Sequence, residues 1–145
     1  MHTIVTMGTV ATLLVQLAQS PAAEPKRNAN DIQATITYTG GGKVDAAHRI
    51  WVFLFDTPAP GPDNKPVAVQ PITKSGEATT FKAVSASTVY VLVAYDESGQ
   101  YDGASATPPI GTPIGMYSAN GKEPAPVKPG AKVKISFDDS RRMGK

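Results

Sequence analysis

The sequence predicts an all-β domain, an antiparallel sandwich of seven strands within a range of six to eight, folded as two sheets. Residues 88–95 form an unbroken run rich in β-branched and aromatic side chains that stops at a polar cluster beginning with Asp96. A run that is apolar on both faces is typical of a central strand covered on both sides. Residues 32–38 and 132–137 alternate apolar and polar residues, as half-buried strands do. Outside the first residues, no segment shows a sustained helical period.

The first two predicted strands are separated by a run of glycines. The first strand covers residues 32–38 and ends at Gly40, Gly41 and Gly42, because consecutive glycines are too costly in backbone entropy to stay extended. The second strand, residues 49–56, is apolar on both faces, and one face carries the aromatic side chains Trp51, Phe53 and Phe55. Either this strand is covered on both faces, or its aromatic side is a partly exposed stripe.

The remaining strands are separated by loops rich in proline and glycine. Pro66 and Pro71 restrict residues 67–72 to an edge strand, because proline cannot donate to a ladder. Phe81 anchors the next strand to the core. The predicted strands after residue 72 are 77–84, 88–95, a short strand at 114–117, and 132–137 after the turn at residues 129–130.

The chain divides into a leader, a linker, one domain and a tail. Residues 1–23 are predicted to be a signal peptide, since a short apolar run is followed by small residues suited to cleavage after Ala22 or Ala23. The segment before the run lacks Lys and Arg, and the alternative is a short buried helix. Residues 24–30 form the linker, residues 31–139 the sandwich domain and residues 140–145 a flexible tail. We therefore expect a secreted or periplasmic protein whose mature part has no membrane span.

Composition excludes several functional classes. The chain has no cysteine, so it has no disulfide, thiolate zinc site or cysteine nucleophile. The net charge is +2 and the basic residues are scattered, which argues against a nucleic-acid surface. His48 is the one histidine left after the leader, and no Gly-x-Ser-x-Gly motif is present. A hydrolase that uses His48 with a distant acid is therefore the disfavoured alternative, and we predict that the protein is not an enzyme.

The order of these motifs resembles that of bacterial secreted domains of the transthyretin-like or carboxypeptidase-regulatory-like type. The shared features are a first strand that closes on glycines, an aromatic second strand, a Phe-x-x-Val element at residues 81–84, a tyrosine-centred strand at 90–96 and a closing Pro-Gly turn and strand at 128–137. The resemblance spans residues 31–139. It departs from the family before the tyrosine strand, where Ala86-Ser87-Thr88 stands in place of Pro-Gly. It implies a seven-stranded, prealbumin-like Greek-key sandwich, related in architecture to the immunoglobulin fold, and a non-catalytic accessory or binding role.

One candidate metal site lies directly after the most apolar strand. Asp96, Ser98, Gln100 and Asp102 place side-chain oxygens at alternating positions, a spacing that can direct oxygens at Ca²⁺, and Asp96, Ser98 and Asp102 are the candidate ligands. The pattern departs from an EF-hand loop at several positions and offers few carboxylates, so affinity would be weak. The alternative is a turn closed by the Asp96 side chain. Apart from this weak calcium site, we predict no cofactor.

The long connection at residues 97–120 is the predicted contact region. A loop of this length in a compact domain is uncommon unless it has a function or is disordered. The candidate ligand-binding residues are Trp51, Tyr101 and Tyr117, which would present aromatic surface to a protein or glycan partner. Core burial is the alternative for the aromatic stripe. The sequence thus predicts an exported binding or accessory module; the alternatives are a self-associating periplasmic domain and a weak calcium-binding domain.

Overall fold

The computed structural model describes residue 26 and residues 28–105 and 107–144. The predicted signal peptide and most of the linker lie outside the described residues. The described part contains no helix, and it contains seven strands. They are β1 Ile32–Tyr38, β2 Ile50–Phe55, β3 Ala68–Ile72, β4 Ala78–Phe81, β5 Tyr90–Tyr95, β6 Ile114–Met116 and β7 Lys132–Phe137.

The strands form two sheets that pack face to face. One sheet has three strands in the order β4-β1-β7, and the other has four in the order β3-β2-β5-β6. This confirms the predicted all-β sandwich, and β3 is an edge strand as its prolines require. Every pair is antiparallel except β1 with β7, which is parallel. The sequence did not predict the parallel pair, because alternation of side chains shows which face is buried and not the direction of the neighbouring strand.

Strands β2 and β5 lie at the centre of the four-stranded sheet, and both of its faces are covered. All positions of β2 are buried. Its residues Ile50, Val52 and Leu54 join the main core between the sheets. Trp51 and Phe53 point to the other face, where a second apolar cluster forms. The structure therefore confirms a strand covered on both faces and not one with an exposed aromatic stripe.

Strand β4 ends at Phe81, three residues earlier than the sequence predicts. Ala83 has a positive φ of 53°, which an extended strand does not allow. Its N–H donates to the buried Asp31 carboxylate at 2.9 Å, away from any ladder. Val84 then returns to the main core.

The glycine run after β1 passes directly over two tyrosine side chains. A Cβ on Gly42 would overlap the Tyr95 ring, so this position requires glycine for space. The Tyr38 hydroxyl donates to the Asp139 carboxylate, which also accepts the Gly41 N–H at 2.9 Å. The same carboxylate thus holds the turn after β1 and the chain leaving β7.

Residues 141–143 cross from the three-stranded sheet to the edge of the four-stranded one. The Ile114 N–H donates to the Arg141 carbonyl at 2.9 Å, and the Met143 N–H donates to the Thr112 carbonyl at 2.8 Å. The sequence predicts a flexible tail at residues 140–145, and in the structure residues 141–143 pair with residues 111–114. A composition rich in charged residues gave no indication of this pairing, because only backbone groups take part in it.

Candidate functional site

The loop between β5 and β6, residues 96–113, lies across the outer face of the four-stranded sheet. Tyr101 is its main contact: its ring lies 5.8 Å from the Trp51 ring, edge to face at 81°, and 6.3 Å from the Phe53 ring. Gly103 sits directly on Trp51, and a Cβ there would overlap the indole carbons. The loop therefore supplies the second cover that makes β2 a fully buried strand.

Trp51 is inside the protein and is not a surface platform. Its side chain is 8 % exposed. Its indole Nε1 is buried and has no hydrogen-bond partner among the residues that the structure describes. Unpaired buried donors are uncommon in native proteins. Of the three predicted ligand-binding residues, Trp51 supports the site from beneath, whereas Tyr101 is partly exposed above it.

Tyr117 lies away from the other two candidates. It packs against the main core between the sheets, and its N–H donates to the Val91 carbonyl at 2.8 Å. Trp51 and Tyr101 lie on the outer face of the four-stranded sheet, away from the main core. The structure therefore joins two of the predicted ligand-binding residues and separates the third.

The Asp96 carboxylate holds the start of the loop. It is 5 % exposed, and one oxygen accepts the Ser98 N–H at 3.1 Å, the Ser98 hydroxyl at 2.7 Å and the Gly99 N–H at 3.0 Å. The other oxygen accepts the Tyr101 N–H at 2.9 Å. A carboxylate with this many donors closes a turn, as the alternative interpretation of the sequence predicts.

The three predicted metal ligands take part in two turns of the loop. Ser98 donates its hydroxyl to Asp96, while Asp102 accepts the Ala104 N–H at 2.8 Å in a turn of its own. Among the described residues, no three His, Asp or Glu side chains are grouped so that they could hold a metal ion. Oxygen at alternating positions is shared by cation loops and by turns of this kind, so the sequence pattern did not separate them.

Arg142 connects the two ends of the loop. Its guanidinium forms two bonds to the Glu97 carboxylate, at 2.8 and 3.2 Å, and donates to the Gly111 carbonyl at 2.7 Å. Paired bonds of this kind between arginine and a carboxylate are both strong and specific in geometry. In the sequence Arg142 stands out only as part of a charged run at residues 138–142, and nothing links it to residues 97 and 111.

A cleft opens beside Tyr101, and we call it the Tyr101 cleft. It has a volume of about 350 Å³ and is lined by Ala46, Ala47, Arg49, Trp51 and residues 99–102. The side chains of Arg49, Gln100 and Asp102 are exposed. The cleft therefore combines an aromatic ring with a cation, an amide and a carboxylate. Arg49 was not among the residues predicted from the sequence, and Gln100 was noted only as part of the oxygen pattern of the cation loop.

The Tyr101 hydroxyl keeps its proton over the whole physiological range. Burial raises the pKa of Tyr101 to about 12, and the nearby Asp102 and Asp96 carboxylates act in the same direction. The hydroxyl donates to the Ser105 carbonyl within the loop. Tyr101 thus offers a neutral aromatic ring to the cleft.

His48 lies close to this cleft and forms a local pair. Its Nδ1 is 3.1 Å from the Asp45 carboxylate, which also accepts the N–H groups of Ala47 and His48 at 3.0 and 2.9 Å. These bonds lower the pKa of Asp45 to about 2, the His48 N–H having the largest effect. Asp45 and His48, which are three residues apart in sequence, therefore close a turn before β2.

Comparison with protein-family models, curated proteins and solved structures found no match. Among the residues that the structure describes, none form a helix with the length and apolar character needed to span a membrane.

Proposed function

We propose that the protein is an exported, non-catalytic binding module that contacts a glycan through the loop at residues 97–120. Export is inferred from the leader at residues 1–23, and the accessory role from the resemblance to transthyretin-like domains. A seven-stranded, two-sheet sandwich fits that resemblance. The observation that carries the binding role is the Tyr101 cleft.

The chemistry of the cleft suits a sugar better than an apolar ligand. Its volume of about 350 Å³ falls in the usual range for small-molecule sites, roughly 300–1,000 Å³. A sugar ring presents apolar C–H groups to an aromatic face and hydroxyls to charged and amide side chains. Tyr101 supplies the first kind of contact, and Arg49, Gln100 and Asp102 supply the second.

The fold also gives the cleft a rigid base. Tyr101 rests edge to face on Trp51, and the Asp96 carboxylate fixes the backbone on both sides of Gln100 by accepting the N–H groups of Gly99 and Tyr101. A site that is held in one arrangement before binding loses less entropy when a ligand arrives. A loop built in this way is suited to recognition.

The experiment is a glycan-array screen followed by calorimetric titration of any glycan that binds. Gln100→Ala removes an amide from the cleft and Asp102→Asn removes a negative charge, neither at a buried side chain, and we expect each to weaken binding by about fivefold or more. Asp63→Asn makes the same charge change at an exposed position outside the cleft and is the matched control. An array without binding, or binding that Asp102→Asn and Asp63→Asn affect equally, would refute the glycan assignment.

A protein partner is the alternative within the same proposal. Pull-down with immobilised protein tests it, using Tyr101→Ala to remove the exposed ring. The melting temperature of this variant must be measured as well, because Tyr101 also packs on Trp51 and Phe53. A loop deletion over residues 104–113 would disturb the fold as well as binding, since residues 111–113 are hydrogen-bonded to β5 and to Met143.

A further inference from the structure

Strand β7 is the open edge of the three-stranded sheet. It pairs with β1 on one side only, over six residues in parallel register. The backbone of an edge strand presents unpaired N–H and C=O groups to any extended chain that can align with it. Length and regularity make β7 a suitable template for such pairing.

The geometry of the parallel ladder shows which groups are free. The Ala131 and Phe137 carbonyls accept the N–H groups of Gln33 and Thr39, so the odd-numbered residues of β7 face β1. Neighbouring residues of a strand alternate between its two edges. The backbone groups of Lys132, Lys134 and Ser136 therefore point to the open edge, and no hydrogen bond outside the ladders reaches them from another described residue.

The side chains along this edge alternate in a simple way. Lys132, Lys134 and Ser136 are exposed on the outer face, while Val133, Ile135 and Phe137 are buried in the core. Neither lysine forms an ion pair within the described part of the chain. Their neighbours on β1, in register, are the uncharged Thr35 and Gln33. The edge is therefore positively charged outside and apolar inside.

A cleft of about 500 Å³ runs between β7 and β6, where the edges of the two sheets approach each other. Gly115 lets β6 approach the end of β7 closely, since a Cβ on Gly115 would overlap Phe137. The cleft is also lined by Met116, Asp138 and Arg141. Of β7, only Ser136 and Phe137 line the cleft, so a strand added to β7 would direct into it only the inner side chains at the end beside Phe137.

A second copy of the chain is a poor occupant of the edge. In antiparallel pairing of two β7 strands, registers centred on Val133 or Lys134 place lysine opposite lysine. Like charges directly opposite one another destabilise a strand pair, and opposite charges stabilise it. Lysines on edge strands act in this way against self-association. The charge pattern that disfavours these two registers of a second copy favours an acidic strand.

We propose that the open edge of β7 binds an extended peptide that carries acidic residues at every second position and small or apolar residues between them. The peptide becomes a fourth strand of the three-stranded sheet. Its acidic side chains lie beside Lys132 and Lys134, and its apolar side chains point inward, those beside Phe137 into the β6–β7 cleft. This is recognition by strand addition, in which backbone bonds give affinity and alternate side chains give specificity.

The probe is a fluorescein-labelled synthetic peptide with the repeat Glu-Val-Glu-Ile, titrated with the full chain and followed by anisotropy. A scrambled peptide of the same composition and charge is the first control, because it loses the alternation. A peptide with N-methylated amides at the positions that face β7 is the second control, because it retains the side chains and cannot complete the ladder. We expect binding of the alternating peptide only.

Two variants test the edge from the protein side. Lys134→Pro removes an N–H that β1 does not use, so the fold should persist while peptide binding is lost. Lys132→Glu with Lys134→Glu should weaken binding of the acidic peptide by roughly tenfold. Lys82→Glu, at an exposed lysine just beyond β4 in the same sheet, is the matched control and should leave binding unchanged.

The proposal fails if the alternating peptide does not bind, or if the scrambled or N-methylated peptide binds equally well. It also fails if sedimentation shows a dimer that Lys134→Pro dissociates, since a second copy would then occupy the edge. If Lys134→Pro does not fold, the N-methylated peptide still decides, because it tests the same backbone bonds with the natural chain.

Discussion

Replacing Asp96 distinguishes a turn that holds the loop from a cation site. The Asp96 side chain is 5 % exposed and accepts four hydrogen bonds: from the N–H groups of Ser98, Gly99 and Tyr101 and from the Ser98 hydroxyl. In Asp96→Ala the three N–H groups lose their acceptor at once. The change therefore acts on the whole loop start and not on one contact.

The size of the effect follows from the kind of bond that is lost. A hydrogen bond to a charged group contributes about 1.5–3 kcal/mol, and a buried unsatisfied donor costs about 1–3 kcal/mol. Because the loop is at the surface and can turn its N–H groups to water, we expect Asp96→Ala to lower the free energy of unfolding by about 2–4 kcal/mol. Asp96→Asn retains the oxygen that accepts three of the bonds and places an amide donor against the Tyr101 N–H, for a loss of about 1–2 kcal/mol.

The assay is urea unfolding followed by the emission of Trp51, the single tryptophan, which lies under the loop. Asp102→Asn is the matched control, because the amide oxygen can still accept the Ala104 N–H and stability should change little. Melting temperatures are measured with and without Ca²⁺. A ligand at ~100 times its Kd stabilises by about 2.7 kcal/mol, so binding would be visible as a shift.

Two outcomes would refute the reasoning about Asp96. The first is an Asp96→Ala variant that is as stable as the natural chain, since the four hydrogen bonds would then contribute nothing. The second is a rise in melting temperature with Ca²⁺ that Asp96→Asn removes, because the carboxylate would then be a ligand and not the acceptor of the turn.

Three further predictions concern the β5–β6 loop, which covers the outer face of the four-stranded sheet. Gly103→Ala should lower the free energy of unfolding by about 2–3 kcal/mol and shift Trp51 emission, because φ is +73° and a Cβ would overlap the indole. Gly111→Ala is the control: φ is +87° but the space is open, so the loss should be only about 1 kcal/mol. Arg142→Ala should accelerate hydrogen exchange across the loop at a stability cost of about 1 kcal/mol, whereas equal exchange would show that the bonds to its two ends are unimportant. Burial raises the pKa of Tyr101 from 10.0 to about 12. The stabilisation that comes from the protonated Tyr101 hydroxyl is therefore complete below pH 10 and is lost as pH rises towards 12. Tyr101→Phe should flatten that decline in alkaline unfolding curves, and an unchanged slope would contradict the assignment.

The strand pattern could be predicted from the sequence because it depends on local alternation. The alternation of β7 and the continuous apolar run of β5 each specify which faces are covered. The prolines of β3 specify an edge. The end of β4 was predicted too late, because the left-handed conformation of Ala83 depends on Asp31, a residue just before β1 and 52 positions away in the sequence.

The candidate site was less accessible to sequence reasoning. Trp51 and Tyr101 were both identified as aromatic candidates, but alternation could not show that the loop covers one and exposes the other. Asp96 was identified as an oxygen donor, and only the path of the loop shows that its oxygens are already engaged. Arg142 belongs to a visible charged run, but its partners are brought to it only by the crossing of residues 141–143.

By itself, the sequence determined the class of fold, the approximate number of strands and the central position of β5, since these follow from alternation and apolar runs within a few residues. The tertiary structure decided the parallel pairing of β1 with β7, the cover over Trp51 and the open edge at Lys132 and Lys134. The physical reason is that a strand's side chains specify what it must bury, while the choice of backbone partner depends on segments far away in the chain.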